Sequence, residues 1–368
     1  MLKKQISKYH IAHIFQSVLY NKTSSKRMRD VLKMRHIALK CIIIIFFISL
    51  TIGCINTDEN PVNDHSTSEI TEKSPEPVSS TPTTSDTPLK PDVTTTPTPK
   101  AIDTTLNKTI KIASFNIQVF GKTKASKQDV VNVLSKIIRN FDIVAIQEIR
   151  DISQTSLPAL KDAVNSNGES VYDFVVGERL GRTSSKEQYA YLYNTQTIEL
   201  TGQPTTFQEP PDNDMFHREP YLANFKVMEG NFDFVLITVH TDPDEAIKEI
   251  NALPDVVEQA KEVYHGEADY IILGDLNADC NYFNENSPSP LKSSEYFWVI
   301  NNSVDTTTKS TVCTYDRIIL TAPAITDFTG GAGIFSFDTE YNLNDKETTA
   351  VSDHYPVYAE FWSDRDDD

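Results

Sequence analysis

Beyond its first 40 residues the sequence is poor in positive charge. Of a formal net charge of −18, residues 1–40 contribute ten Lys/Arg against one acid, Asp30, so residues 41–368 carry −27. A broad basic surface for non-specific nucleic-acid binding is thereby excluded. There is also no apolar run long enough to cross a bilayer comfortably. The run from Cys41 to Gly53 is about 13 residues, where a span needs roughly 20. Cys and His clusters at zinc-site spacing are absent, which argues against zinc. Of four Cys, only Cys280 and Cys313 lie beyond the first 54 residues, and of eight His only His217, His240, His265 and His354 lie beyond residue 107.

What is present falls into segments. The apolar run follows positive charge, as a signal h-region does, and it ends in Leu50-Thr51-Ile52-Gly53-Cys54. Small residues before a Cys resemble the lipobox of prokaryotic lipoproteins, although Thr51 stands where Leu is commoner. Lipidation of Cys54 is therefore expected for residues 1–54, the alternative being an uncleaved anchor; either way the remainder is exported. Met34, just before Arg35-His36, would begin a leader of ordinary length, so residues 1–33 are expected to be an over-called start. Residues 55–107 are rich in Ser, Thr and Pro and show no repeat of structural period. They cannot bury a core and are expected to form a disordered stalk that holds a domain away from a membrane.

The domain proper is expected over residues 108–363, with an acidic tail at 364–368. TIKIASFNIQVF alternates like a strand, and DVVNVLSKIIRNF places apolar residues at helical spacing. DIVAIQE, NFDFVLITVHT, YIILGD, TYDRIIL and PVYAEFW are expected strands, and YAYLYN with TIEL a hairpin. DEAIKEINALPDVVEQAKEVY is expected to be a helix interrupted at Pro254. Strands outnumber helices, which indicates one α/β or α+β domain with large mixed sheets.

Several strands end or begin on chemistry-bearing groups: Asn116, Gln147-Glu148, His240, Asp275-Leu-Asn277 and Asp353-His354, with Asp316 inside TYDRI. Singly, each has an ordinary reading as a turn, cap or structural residue. Together they suit phosphodiester hydrolysis. Asn116, Glu148, Asp275, Asn277 and Asp353 are hard oxygen donors of the kind Mg²⁺ or Mn²⁺ accept, which would activate a water. His240 and His354 have the chemistry of a general base and acid near neutral pH, and Glu187 and Asp316 are spare acids to orient them. Asp275 and Asn277, two apart, face one side, while Leu276 faces packing. Asp279 is expected in a turn or cap.

The strings SFNIQVFG, IVAIQEIRD, GERLGR…SKEQYAYLY, FHREP, LITVHTDPDEAIKEINAL, GDLNADC, DTTTKSTVCTYDRI and SDHYPV occur in the order found in deoxyribonuclease I. The domain, over about residues 109–361, thus resembles deoxyribonuclease I-like members of the endonuclease/exonuclease/phosphatase superfamily. The resemblance implies a four-layer sandwich of two packed mixed β-sheets flanked by helices, with the active site built by strand-end loops at one edge. It implies Glu148 as the metal-binding residue of the QE motif, with Asn116, Asp275, Asn277 and Asp353 as further metal and phosphate ligands. His240 and His354 match the catalytic pair, with Glu187 and Asp316 as partners, and which is base and which acid is left open. Arg150, Arg182 and Arg218 fall where the family has cleft Arg, of a type suited to phosphate and the minor groove; the plain alternative for each is surface Arg. Cys280 and Cys313 match the family's structural disulfide, the alternative being two buried thiols.

The departures are specific. Gln118 replaces an Arg, and Ser185 a Tyr that packs on the minor groove, so DNA contact is weakened. The small disulfide loop before FHREP has no Cys. Of one calcium stretch Asp305, Thr307 and Thr311 remain, but Lys309 replaces a Thr ligand, so the site is expected to be lost or filled by the ammonium. The other, through Asp214, Phe216 and Glu219, is a candidate structural Ca²⁺ site. The expectation is an exported, monomeric, divalent-metal-dependent DNA endonuclease at or beyond the cell membrane. The alternatives are a lipid or inositol phosphoesterase on the same scaffold and an inactive surface binding module.

Overall fold

The alternating segment at the start of the domain forms β1 (Thr109–Phe120), inside a six-stranded sheet. A computed structural model describes residues 108–368; the leader, Cys54 and the Ser/Thr/Pro-rich segment lie outside the described residues. Across the first sheet the order is β12 (Phe328–Ile334), β13 (Val357–Trp362), β1, β2 (Ile143–Ile149), β4 (Gln188–Asn194) and β3 (Tyr172–Val176). The second runs β10 (Tyr296–Trp298), β11 (Asp316–Thr321), β9 (Tyr270–Asp275), β8 (Asp233–His240), β7 (Tyr221–Val227) and β5 (Ile198–Leu200), with β6 (Thr205–Thr206) also on β7. Each sheet is mixed: β1 with β2, and β8 with β9, are parallel, and the other pairs are antiparallel.

Side-chain alternation accounts for the layers. In β9, Ile271 and Leu273 enter the core between the sheets, while Tyr270 and Ile272 face a second core outside. With both faces covered, the strand reads as a continuous apolar run. The outer face of the first sheet is covered by α2 (Gln128–Ile138) and α3 (Ser156–Ser166). Before them comes the short α1 (Lys122–Ala125). The outer face of the second sheet is covered by α4 (Ala246–Val263). Two short helices, α5 (Phe337–Glu340) and α6 (Asp345–Val351), precede β13. Polar bridges cross the core between the sheets: Gln147 Nε2 on β2 donates to Thr238 Oγ1 on β8 at 2.9 Å, and the Tyr191 hydroxyl on β4 donates to the Tyr221 carbonyl on β7 at 2.7 Å and accepts from the Thr238 amide at 3.0 Å.

Two sequence expectations are corrected. YAYLYN and TIEL do not form a hairpin: β4 pairs with β2 and β3, whereas β5 pairs with β7 in the other sheet. The chain changes sheets between Asn194 and Ile198. Pro254 also fails to interrupt its helix, and α4 is continuous. Pro costs about 3 kcal/mol in a helix interior. The buried stripe Ile250, Leu253, Val256, Val257 and Ala260 outweighs it, at roughly 1.5–3 kcal/mol for each of its larger side chains.

Candidate active site

The parallel pairs place four carboxyl-terminal strand ends at one edge of the sandwich. Register sets Asn116 beside Gln147, and Asp275 between His240 and Asp316. The edge backbone is unusual. Glu148 (φ 61°) and Asn277 (φ 47°) occupy the left-handed region that side chains rarely adopt. Gly274, at φ 152°, is required as glycine, because a Cβ there would lie 1.8 Å from the Val239 carbonyl oxygen.

Asn116 joins the two sheets. Its Nδ2 donates to Glu148 Oε1 (3.1 Å) and Asp275 Oδ2 (3.0 Å). Its Oδ1 accepts from the Gln118 amide, and Glu148 Oε2 accepts from the Val119 amide. Asn277 donates through Nδ2 to the Thr241 carbonyl, and its amide donates to Asp275 Oδ1. Leu276, between them, is buried in the outer core.

Two histidines converge on the same carboxylate oxygen. His240 Nε2 and His354 Nε2 each lie 3.6 Å from Asp275 Oδ2, beyond hydrogen-bond range. Behind them, His240 Nδ1 sits 2.9 Å from Glu187 Oε2, and His354 Nδ1 2.8 Å from Asp316 Oδ2. These contacts put the proton on Nδ1 and leave Nε2 facing the cleft. Burial alone would raise the Glu187 carboxyl, but the His240 hydrogen bond, with Arg218 and Arg150, holds it at about 2. Burial would depress both imidazoles. The bond to Glu187 raises His240 instead, and the charges of Asp316 and Asp275 push His354 up to about 10. Asp275, although buried, is lowered by the two histidines.

The three arginines separate. Arg150 reaches Glu187 (2.8 Å) and Glu148 (3.1 Å) at the cleft margin. Arg218 is only 6% exposed and donates to the His240 and Thr241 carbonyls and to Glu187. It stands behind His240 rather than at the cleft surface. Arg182 is held by Asp214 and Glu245, each at 2.7 Å, which also engages one oxygen of a candidate calcium ligand. Phe216 is buried and Glu219 half-buried nearby. In the other calcium stretch, Asp305 Oδ1 accepts from Thr307 and from the Cys313 amide, and Thr307 Oγ1 donates to the Thr311 carbonyl. Lys309 does not fill that loop; its Nζ lies 2.6 Å from Asp353 Oδ2.

Cys280 and Cys313 form a disulfide, with a Cα–Cα distance of 5.9 Å. Asp279 accepts from the Cys280 and Thr314 amides, as a turn residue does. Sequence reasoning did not single out Lys124, whose Nζ donates to the Ile117 and Val351 carbonyls. Burial lowers it to about 8 despite the charges of Asp353 and Glu148. Nor did it find Tyr189, whose hydroxyl accepts from the His240 amide. Neither has a local signal, since one lies in the short helix α1 and the other inside an apolar strand.

Residues 113–354 match the Endonuclease/Exonuclease/phosphatase family. Deoxyribonuclease-1 of Bos taurus is 36% identical over 260 residues, covering 68% of this chain and 92% of its own length. The chain belongs to the endonuclease/exonuclease/phosphatase family, as a deoxyribonuclease I-like member. Deoxyribonuclease-1 of Homo sapiens is likewise 36% identical over 258 residues, covering 68% of this chain and 91% of its own. Deoxyribonuclease gamma of Rattus norvegicus is 32% identical over 267 residues, covering 70% and 86%. A Bacteroides thetaiotaomicron family structure aligns over 69% of this chain and 97% of its own at 15% identity and TM-score 0.47, a likeness too low to add to these. The family match begins in β1 and ends on His354, so it spans the whole strand-end network.

Proposed function

We propose that the protein is an exported, divalent-metal-dependent endonuclease that hydrolyses phosphodiester bonds in DNA through a histidine pair. One observation carries the reading: two imidazoles, each backed by a carboxylate on Nδ1, aim Nε2 at a single point beside Asp275. Such a pair suits in-line displacement at phosphorus. One Nε2 takes the proton of the attacking water, and the other gives a proton to the leaving oxygen as the P–O bond breaks. The buried carboxylates keep both rings oriented and favour the charged forms they pass through. Arg150, at the cleft margin, is placed to meet a phosphate oxygen.

The donor set fits a hard divalent ion. Glu148, Asp275 and Asp353 offer carboxylate oxygens, with Asn116 and Asn277 beside them, and Asp353 Oδ1 is buried without a hydrogen-bond partner among the described residues. Bound by these residues, Mg²⁺ or Mn²⁺ would supply positive charge against the phosphate oxygens. A DNA substrate is supported by the similarity to the deoxyribonucleases, and export by the disulfide, which persists in oxidising compartments.

Plasmid nicking in Mg²⁺ or Mn²⁺, with wild type beside His240→Ala and His354→Ala, tests the proposal; a sphingomyelin arm separates phospholipid cleavage. Nicking by wild type and its loss in both variants is expected. Plasmid left intact by wild type under every metal condition would overturn it.

A further inference from the structure

The strands that carry the active site at one end carry a second cluster of acids at the other. Asp233 begins β8, Glu267 and Asp269 precede β9, Asp327 precedes β12, and Asp366 and Asp368 follow β13. At about 3.3 Å per strand residue, this pole lies roughly 20 Å from His240 and Asp275. Carboxylate oxygens of Asp233, Asp366 and Asp368 lie within 4.8 Å of one another, as do those of Glu267, Asp269 and Asp368. Asp368 therefore joins the two trios.

The acidic tail is fixed in place here. The Asp366 carbonyl accepts from Asn231 Nδ2 (2.8 Å), and its carboxylate accepts from the amides of Asp233 (3.2 Å) and Asp368 (3.0 Å). A second observation points to a ligand. Asp269 is 2% exposed, yet its carboxylate accepts no hydrogen bond among the described residues, and its charged neighbours are Asp327, Glu267, Asp366 and Asp368. Asp327 is 1% exposed with Oδ1 unpartnered, and Glu267 Oε2 is buried and unpartnered too. No salt bridge among the described residues relieves them; Lys226, whose charge acts on Asp233, is paired with Glu199 at 3.0 Å. Burying carboxylates together without a counter-charge is costly, and burial first of all pushes Asp269 up to about 9. A cation or bound protons must offset that cost.

We propose that this cluster is a calcium site that fastens residues 364–368 to the base of both sheets. Asp366 and Asp368 follow β13 of the first sheet, and Asp233 and Asp269 belong to β8 and the entry to β9 in the second, so an ion held by either trio would bridge the layers. Oxygen ligands alone, numerous, and partly on a chain segment able to adjust suit Ca²⁺, which takes 6–8 oxygens, better than Mg²⁺, which demands a strict octahedron.

Calcium chloride is titrated calorimetrically into the full chain after EDTA stripping, and melting temperatures are read in EDTA and in calcium. Wild type is compared with Asp366→Asn/Asp368→Asn and with Asp269→Asn. Both variants are expected to bind one calcium ion fewer and to lose most of the calcium-induced rise in melting temperature. In EDTA they are expected to melt at or above wild type, because like-charge repulsion has been removed. If Asp269→Asn does not fold, the tail variant decides. Equal stoichiometry and an equal calcium-induced rise in wild type and tail variant would overturn the site. So would a wild-type melting temperature that rises on acidification but not with calcium, since protons alone would then fill the cluster.

Discussion

Lys309 Nζ and Asp353 Oδ2 form a 2.6 Å ion pair across 44 residues of sequence. Lys309 stands where the resemblance places a threonine of a calcium loop, and it turns away from Asp305 toward the proposed metal site. On that proposal the ammonium and a divalent ion would compete for one carboxylate. Lys309→Ala is expected to lower the Mg²⁺ concentration for half-maximal nicking by up to about fivefold, the scale of a solvent-exposed pair. A metal titration of nicking rate checks this; an unchanged midpoint would remove Asp353 or the competition from the account.

Removing either imidazole should be severe, and removing its backing carboxylate milder. His240→Ala and His354→Ala are each expected to lower single-turnover nicking by about 10²–10⁴-fold. Asp316→Asn keeps the shape but deletes a charge that holds His354 up. Its imidazolium then loses its proton at lower pH, so the His354-dependent limb of the pH–rate profile is expected to move toward acid. A profile identical to wild type would contradict the Asp316–His354 coupling.

Asp151 is a stability determinant at the start of α3. Its carboxylate accepts six hydrogen bonds, from the amides and hydroxyls of Ser153, Thr155 and Ser156. Burial would raise its carboxyl, but these bonds hold it well below the ordinary value of 3.8. A depressed folded-state pKa gives stability that is present above about pH 4 and lost as pH falls below it. Asp151→Ala is expected to cost about 2 kcal/mol near neutral pH, and less in acid, measured by denaturant unfolding at pH 7 and pH 3.

The disulfide closes a separation of 33 residues, worth about 3–4 kcal/mol on a chain-entropy model. Cys280→Ser with Cys313→Ser is expected to lower stability by that amount. Activity should also fall, because the bond joins the loops holding Asn277 and Asp316. Urea melts and nicking of the double variant, beside wild type with and without reductant, check both.

Much of this edge is legible in the sequence because parallel strands buried on both faces must end abruptly. YIILGD and DIVAIQE therefore announce their polar ends. The four-layer reading came from the order of whole motifs, not from periodicity. What stayed hidden depended on partners distant along the chain. Nothing local in YAYLYN and TIEL shows a switch of sheets, and Gly-rich β12 lacks a strand's usual side chains. An arginine string does not reveal that Arg218 turns inward to the His240 carbonyl, nor does a loop lysine reveal Asp353.

The Gln147–Thr238 hydrogen bond has a mechanical meaning. Asn116 and Glu148 travel with one sheet, and His240 and Asp275 with the other. Apolar faces alone would let the sheets slide, and a shift of one residue, about 3.3 Å, is as long as any hydrogen bond in the cleft. Gln147 adjoins Glu148, and Thr238 lies two residues before His240, so their bond, alongside those of the Tyr189 and Tyr191 hydroxyls, acts as an alignment pin set just beneath the chemistry. The two halves of the site are held in phase from inside the core, at a point no substrate touches.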